Sequence, residues 1–144
     1  MNLFRYFFLF SFFLIFSISC QELPPEAYLI DKYKITGVID IDPKIKDKCS
    51  TGTLFIILRK GASPQPLAVK KYSKFEFPKE FKILPSDVLM ETRVEEFFEG
   101  NMILMARISK SGSPMAQKGD CESPAIVIKP GEKGVKLIIN SVKE

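Results

Sequence analysis

The stretch that most constrains the fold of this chain is Thr53–Leu58, a continuous apolar run with the sequence TLFIIL. Gly52 precedes it, and Arg59-Lys60-Gly61 follows it. An unbroken run of this length, rich in β-branched and aromatic side chains, is typical of a central strand covered on both faces. A second strong apolar run, Met102–Ile108, predicts another core strand. The chain is therefore expected to fold around a buried sheet.

Shorter strand-like runs lie on either side of these two, and proline and glycine separate them. They are Tyr33–Ile41, Pro66–Tyr72, Phe75–Phe77, Phe81–Leu84, Pro124–Ile128 and Val135–Val142. Val88–Phe98 has a helical composition but fits an apolar stripe only loosely, so we expect a strand pair or an irregular crossing with at most a short helix. No long segment has helical spacing. The pattern predicts an all-β sandwich of about seven or eight short strands.

Period-2 alternation predicts which side chains of the flanking strands face the core. In the first strand the inward set is Ile35, Gly37, Ile39 and Ile41. In the strand that returns after the turn at residues 62–66, Leu67 and Val69 are expected to point inward.

The first twenty residues indicate export from the cytoplasm. Arg5 precedes Tyr6–Phe16, an apolar run with six phenylalanines that is interrupted only by Ser11. A basic start, a short apolar core and small residues describe a secretory signal peptide, and the run is shorter than the about 20 residues of a membrane span.

Cys20 directly follows the small residue Ser19 in the sequence Ser17-Ile18-Ser19-Cys20, which resembles a bacterial lipobox, although Ser17 stands where leucine is usual. The resemblance implies a diacylated Cys20 as the mature N-terminus. An ordinary cleaved signal and an uncleaved anchor are the alternatives, and each leaves the domain outside the cytoplasm. We expect a lipoprotein signal peptide over residues 1–19, a tether over 20–31 and one domain over 32–144.

Two cysteines remain beside Cys20, namely Cys49 and Cys121. An even pair in an oxidising compartment suggests a disulfide, which would stabilise the fold by roughly 4 kcal/mol. Free thiols or a redox pair are the alternatives, and no C-x-x-C spacing supports redox catalysis.

Composition excludes several kinds of chemistry. The chain has no histidine, which removes Ser-His and Cys-His catalysis, histidine-ligated haem and the usual zinc and copper sites. Lys110 next to Ser109 or Ser111 is a poor catalytic pair, because neighbours on an extended strand point to opposite faces. A net charge of +4 is too small for a nucleic-acid footprint. We expect a protein that is not an enzyme and needs no cofactor.

Metal binding is also not indicated. Met102 and Met105 have opposite parity on one strand, and Met115 alone would be a single soft ligand. The acidic residues Glu91, Glu95, Glu96 and Glu99 lack the spacing of a calcium loop.

The candidate binding surface is the polar, turn-rich stretch that follows the second core strand. In ARISKSGSPMAQKGD (residues 106–120), Ala106–Ile108 is expected to be core strand with Arg107 pointing outward. Long loops on a rigid scaffold often carry binding sites. The candidate contact residues are Lys110, Ser111, Met115, Gln117 and Asp120.

Five pieces of this sequence resemble the C-terminal Ig-like domain of the CcmI/CycH family of c-type cytochrome biogenesis proteins. They are TGVIDIDPKI, GTLFIILRKG, QPLAVKK, ARISKSGSPMAQKGD and GVKLIINSV, and together they cover about residues 35–142. The resemblance implies an immunoglobulin-like antiparallel β-sandwich on the periplasmic side of a membrane. In the family this domain accompanies a membrane anchor and a tetratricopeptide module that helps deliver apocytochrome c. This sequence shows no such repeat, and we expect a lipid anchor in place of the membrane helices, so the resemblance implies the process but not the family's mechanism of holding apocytochrome c.

These features together predict a lipid-anchored binding module of the bacterial cell envelope that faces the periplasm or the outer surface. By resemblance it is accessory to c-type cytochrome maturation, with the membrane bound through acylated Cys20 and with maturation components or apocytochrome c as partners. The alternative is a general envelope lipoprotein that binds another periplasmic or surface protein.

Overall fold

The computed structural model describes residues 31–89 and 99–144. These contain nine strands: β1 (Ile35–Ile41), β2 (Thr53–Lys60), β3 (Pro66–Tyr72), β4 (Lys79–Ile83), β5 (Met102–Ser109), β6 (Cys121–Glu122), β7 (Ile126–Ile128), β8 (Val135–Ile139) and β9 (Ser141–Val142). Single 3-10 turns occur at Lys46–Cys49 and Pro85–Asp87. The predicted signal peptide, Cys20, nearly all of the tether and most of the Val88–Phe98 segment lie outside the described residues. No helix in the described part is long and apolar enough to cross a membrane.

The strands form two sheets that pack as a sandwich, as predicted. One sheet has the order β4-β1-β8, and the other has the order β3-β2-β5-β6-β9, with β7 also paired to β5. The described strand pairs are antiparallel, as predicted, with one exception: β1 and β8 run parallel, with Gly37 opposite Val135. Parallel neighbours need a long connection, and here most of the domain lies between them in sequence.

The core lies between the sheets and uses alternate residues of each strand. In β1 these are the inward set predicted from the sequence, and in β2 and β5 they include Leu54, Ile56, Leu58, Leu104, Ala106 and Ile108, all fully buried. Gly37 leaves room for a neighbour: a Cβ there would lie 2.7 Å from the Phe81 ring and would collide with the Val135 carbonyl oxygen. The glycine is therefore required by close packing.

Part of the outer face of the six-stranded sheet is buried as well. Phe55, Ile57 and Met105 form a second apolar cluster there, with Val69 packed against it. This explains the continuous apolar run of β2, because one set of its side chains faces the core and the other faces this cluster. Met102 and Met105 lie on opposite faces, as expected.

Val69 corrects one inward assignment. The register between β2 and β3 shifts at Leu58/Arg59, which marks a β-bulge. An extra residue in one strand moves the side chains beyond it to the opposite face of the sheet. Leu67 therefore packs in the main core, whereas Val69 pairs with Ile57 on the outer face.

Two further segments differ from the prediction. Phe75–Phe77 is not a strand; its two aromatic rings pack edge to face, with centroids 5.4 Å apart. The run Val135–Val142 divides at Asn140, so that β8 belongs to the small sheet and β9 to the large one. Because the two-residue strands β6 and β9 are counted, the described residues contain nine strands, more than the seven or eight predicted.

A disulfide joins Cys49 to Cys121 across 72 residues of sequence. Both cysteines are buried. The bond connects the 3-10 turn that follows β1 to the strand that begins directly after the candidate loop. It therefore ties the far end of that loop to the core.

The sandwich has two distinct ends. Tyr33, where the chain enters, shares a surface depression with Asn101, the residue before β5. Ser109, at the other end of β5, lies against Gly52, where a Cβ would be 2.6 Å from its carbonyl oxygen. The candidate loop thus begins at the end of the domain opposite the chain entry.

Side chains and backbone secure the N-terminal junction. The Nζ of Lys133 donates to the carbonyl oxygens of Asp31 and Lys34, at 3.1 and 2.5 Å. The hydrogen-bonded Lys34 ammonium, with Lys133 nearby, lowers the pKa of the exposed Asp31 carboxyl. Gly131 (φ 75°) sits against the Lys32 carbonyl. The first described residues are thereby fixed to the turn before β8.

Candidate functional site

The loop between β5 and β6, Lys110–Asp120 (the β5–β6 loop), is built from short local turns. The amide of Ser113 donates to the Ser111 hydroxyl at 3.4 Å, and the amide of Met115 donates to the Ser113 hydroxyl at 3.1 Å. Gly112 has a φ of 75°, which favours glycine. Serine hydroxyls that accept amides two residues on are a standard turn device. The Ser-Gly-Ser sequence therefore shapes the first half of the loop.

Asp120 organises the second half of the loop. It is 1% exposed, and its carboxylate accepts the amides of Lys110 at 3.3 Å and Gln117 at 2.8 Å. Its carbonyl oxygen accepts the amide of Lys143, and the Gly119 amide donates to the Lys143 carbonyl, both at 2.8 Å. The structure therefore gives Asp120 an internal role, which differs from the contact role expected from the sequence.

Arg107 holds the middle of the loop on the sheet. It points outward from β5, as expected, but it is only 8% exposed. Its Nε donates to Glu122 Oε1 at 2.7 Å, and its Nη1 donates to the Pro114 carbonyl at 2.5 Å. Because Arg107 and Glu122 are register partners on β5 and β6, the sheet itself aligns this pair. Charge-assisted bonds of this kind are stronger than neutral ones.

The other four predicted contact residues lie at the surface. Lys110, Ser111 and Gln117 are exposed, and Met115 is 73% exposed. An exposed methionine on a loop held by Arg107 and Asp120 presents an adaptable apolar contact from a fixed backbone. The loop is thus suited to binding by surface contact.

The β5–β6 loop folds back over the outer face of the large sheet and encloses a groove of about 230 Å³ (the outer groove). Its apolar floor is Ile57, Val69 and Met105. Its walls are Pro64 and Pro66 of the β2–β3 connection on one side and 114–116 of the loop on the other. Arg59 and Arg107 complete the lining. Wider depressions lie around Lys79 and Glu80, and both of these are lined by acidic as well as basic side chains.

The two arginines of the outer groove differ in their partners. Arg107 is paired with Glu122. Among the described residues, the buried Nε of Arg59 has no hydrogen-bond partner, and no described acidic residue lines the groove. The outer groove therefore combines an apolar floor with a guanidinium whose buried Nε has no partner among the described residues.

Arg59, Pro64 and Pro66 were not among the predicted site residues. A signal for Arg59 was present, because it shares the period-2 face of Phe55 and Ile57, the face opposite the main core. From the sequence, the two prolines were expected only to form a turn, because nothing in the local sequence shows that the β5–β6 loop folds back towards them.

No group of three metal-ligating side chains (Cys, Asp, Glu) comes together within residues 31–89 and 99–144.

Two packed β-sheets, short strands and connecting loops at the ends define a β-sandwich of immunoglobulin-like architecture. The chain belongs to the family described as cytochrome c-type biogenesis protein H Ig-like domain, which matches residues 35–140. This match confirms the resemblance seen in the sequence.

A related protein is also similar to this chain over most of its length. An uncharacterized protein of Aquifex aeolicus (strain VF5) is 36% identical in an alignment over 137 residues that covers 88% of this chain and 89% of that protein. That relative therefore consists of little more than the region it shares with this chain. No solved structure matches.

Proposed function

We propose that this protein is a non-enzymatic binding module, tethered outside the cytoplasm, that assists the maturation of c-type cytochromes. The observation that carries the proposal is the family match over residues 35–140, which includes every strand from β1 to β8 and the whole β5–β6 loop. The family description indicates the process, which is c-type cytochrome maturation. The β5–β6 loop and its outer groove offer a surface on which a partner could bind.

The arrangement of the loop favours recognition of a protein partner. Arg107, Asp120 and the Cys49–Cys121 disulfide fix the loop before a partner arrives. Fixing a loop in advance reduces the conformational entropy lost on binding. The partner would be a component of the maturation machinery or apocytochrome c, with Met115 as an apolar contact.

The proposed tether is the acylated Cys20. A pair of acyl chains gives stable membrane attachment where one chain gives only marginal attachment. The domain would then work in the cell envelope, on the periplasmic side or at the outer surface.

The test is a deletion strain examined for covalently bound haem. We expect haem-stained c-type cytochromes to be lost or strongly reduced, and to return when the full-length gene is supplied. A Cys20→Ser variant should leave the membrane fraction while still being made. Normal haem staining in the deletion strain would contradict the maturation role, and cleavage of the protein by protease on intact cells would then support a surface lipoprotein.

A further inference from the structure

The size of the outer groove indicates what class of ligand it can hold. Its volume is about 230 Å³, which is below the roughly 300–1,000 Å³ of typical small-molecule and cofactor sites. A large planar cofactor such as haem is too big for it. One apolar side chain with its neighbouring polar group is a suitable occupant.

The charge in the groove indicates the polar part of that ligand. Buried polar atoms nearly always have hydrogen-bond partners, and each exception calls for an explanation. The Arg59 Nε is such an exception, and Arg107 is occupied by Glu122 and Pro114. A guanidinium is matched best by a carboxylate, which accepts two parallel hydrogen bonds.

The backbone places Arg59 for this role. Arg59 shares the outward face of β2 with Phe55 and Ile57, so the regular alternation of the strand points its side chain into the groove. Pro64 and Pro66 form one wall, and Pro114 faces them from the β5–β6 loop. Prolines have a fixed φ, so both walls are rigid.

We propose that the outer groove binds a segment of the partner protein in which a carboxylate stands next to a medium-sized apolar side chain. The carboxylate pairs with Arg59, and the apolar side chain packs on Ile57, Val69 and Met105. Met115 closes over the segment from the loop. This inference rests on the proposed function, because it names the chemistry by which a maturation partner is recognised.

The direct test uses labelled peptides and the full-length chain extracted from membranes in a mild detergent. The probe is fluorescein-labelled Gly-Glu-Leu-Gly with an amidated C-terminus, and its matched control is Gly-Gln-Leu-Gly-amide, which has the same shape without the charge. We expect the glutamate peptide to bind at least about tenfold more tightly, which corresponds to about 1.4 kcal/mol. A third peptide, Gly-Gly-Leu with a free C-terminal carboxylate, distinguishes a terminal carboxylate from a side-chain one. Equal anisotropy curves for the glutamate, glutamine and free-terminus peptides would overturn the proposal.

Variants locate the binding. Arg59→Met keeps most of the side-chain stem but removes the charge. It should weaken binding of the glutamate peptide about tenfold and leave the affinity for the glutamine peptide unchanged. Lys136→Met removes one positive charge from the exposed face of β8 on the other sheet, and it should have no effect. Equal losses in the two variants would show that only net charge matters, against a site at Arg59. If Arg59→Met does not fold, the peptide comparison on the unchanged chain decides the question.

The two proposals fail in different ways. If the glutamate peptide is ignored but the deletion strain lacks c-type haem staining, the groove assignment is wrong and the maturation role stands. If the peptide binds as expected but haem staining in the deletion strain is normal, the groove is a binding site for a partner in another process.

Discussion

Arg107 and Glu122 are register partners on neighbouring strands, and their side chains meet at 2.7 Å on the outer face of the large sheet. The same guanidinium reaches the Pro114 carbonyl in the middle of the β5–β6 loop. One ion pair therefore both joins two strands and holds the candidate binding loop in place.

Replacing Arg107 by methionine should lower the free energy of unfolding by about 1–3 kcal/mol, because the half-buried Glu122 carboxylate loses its partner. Urea denaturation measures the change. The double variant Arg107→Met/Glu122→Gln also removes the unpaired carboxylate. Its decrease in the free energy of unfolding should therefore be smaller than the sum of the decreases in the two single variants. Strictly additive losses would show that the two side chains do not interact.

Asp120→Ala should loosen the loop without unfolding the domain. The amides of Lys110 and Gln117 lose their acceptor, which is expected to reduce stability by about 1–3 kcal/mol. Hydrogen exchange at these two amides should become faster, whereas exchange in β2 should change only as much as global stability does. Unchanged protection of the Lys110 and Gln117 amides would contradict the role given to Asp120.

Gly37→Ala should be among the most damaging single-methyl additions in the described core. The new Cβ would meet the Phe81 ring and the Val135 carbonyl, and overpacking of this kind lowers stability by about 1–3 kcal/mol or more. Thermal unfolding measures it, with Val38→Ala on the opposite, partly exposed face of β1 as the control. A Gly37→Ala protein as stable as that control would refute the close contact between β1 and β8.

Removing the disulfide through Cys49→Ala/Cys121→Ala should lower the free energy of unfolding by about 2–5 kcal/mol. The unmodified protein should lose the same stability on reduction, whereas the double variant should be insensitive to reductant. Mass spectrometry after alkylation without reductant gives an independent check: modification of both buried cysteines in the native protein would show that they are not bonded.

Met115→Ser should leave stability within about 0.5 kcal/mol, as expected for an exposed position. Capture of maturation components from membrane extracts, and rescue of haem staining in the deletion strain, should both fall. Ile138→Ser is the matched control, since Ile138 is an exposed apolar residue on the other sheet. If the two variants behave alike, the β5–β6 loop does not contact the partner.

The strongest strands could be predicted because their physical signal is local. β2 and β5 contain long apolar runs, TLFIIL and MILMA, and apolar clusters lie on both faces of these strands. The sandwich followed from the same pattern, whereas the family followed from a resemblance in which the loop sequence at residues 106–120 is the most specific piece. Strand register could not be predicted in the same way, because it depends on contacts between distant segments. Two examples are the bulge that turns Val69 outward and the parallel pairing of β1 with β8.

The site was predictable in position but not in detail. A polar loop after β5 is visible in the sequence, and Lys110, Ser111, Met115 and Gln117 do lie at its surface. That Asp120 is buried depends on which amides the folded backbone brings to it. That Arg59 lines a groove depends on where the loop lies, which no local pattern of β2 contains.

The two ends of the sandwich make the domain a spacer with a defined length. Tyr33 and the start of β5 lie at one end, and Ser109 lies at the other. The eight residues of β5 span about 26 Å at about 3.3 Å per residue. The β5–β6 loop therefore starts about 26 Å from the end of the domain at which the chain enters. With the proposed N-terminal tether, a partner would have to reach that far end, so distance as well as chemistry would select which proteins can be bound.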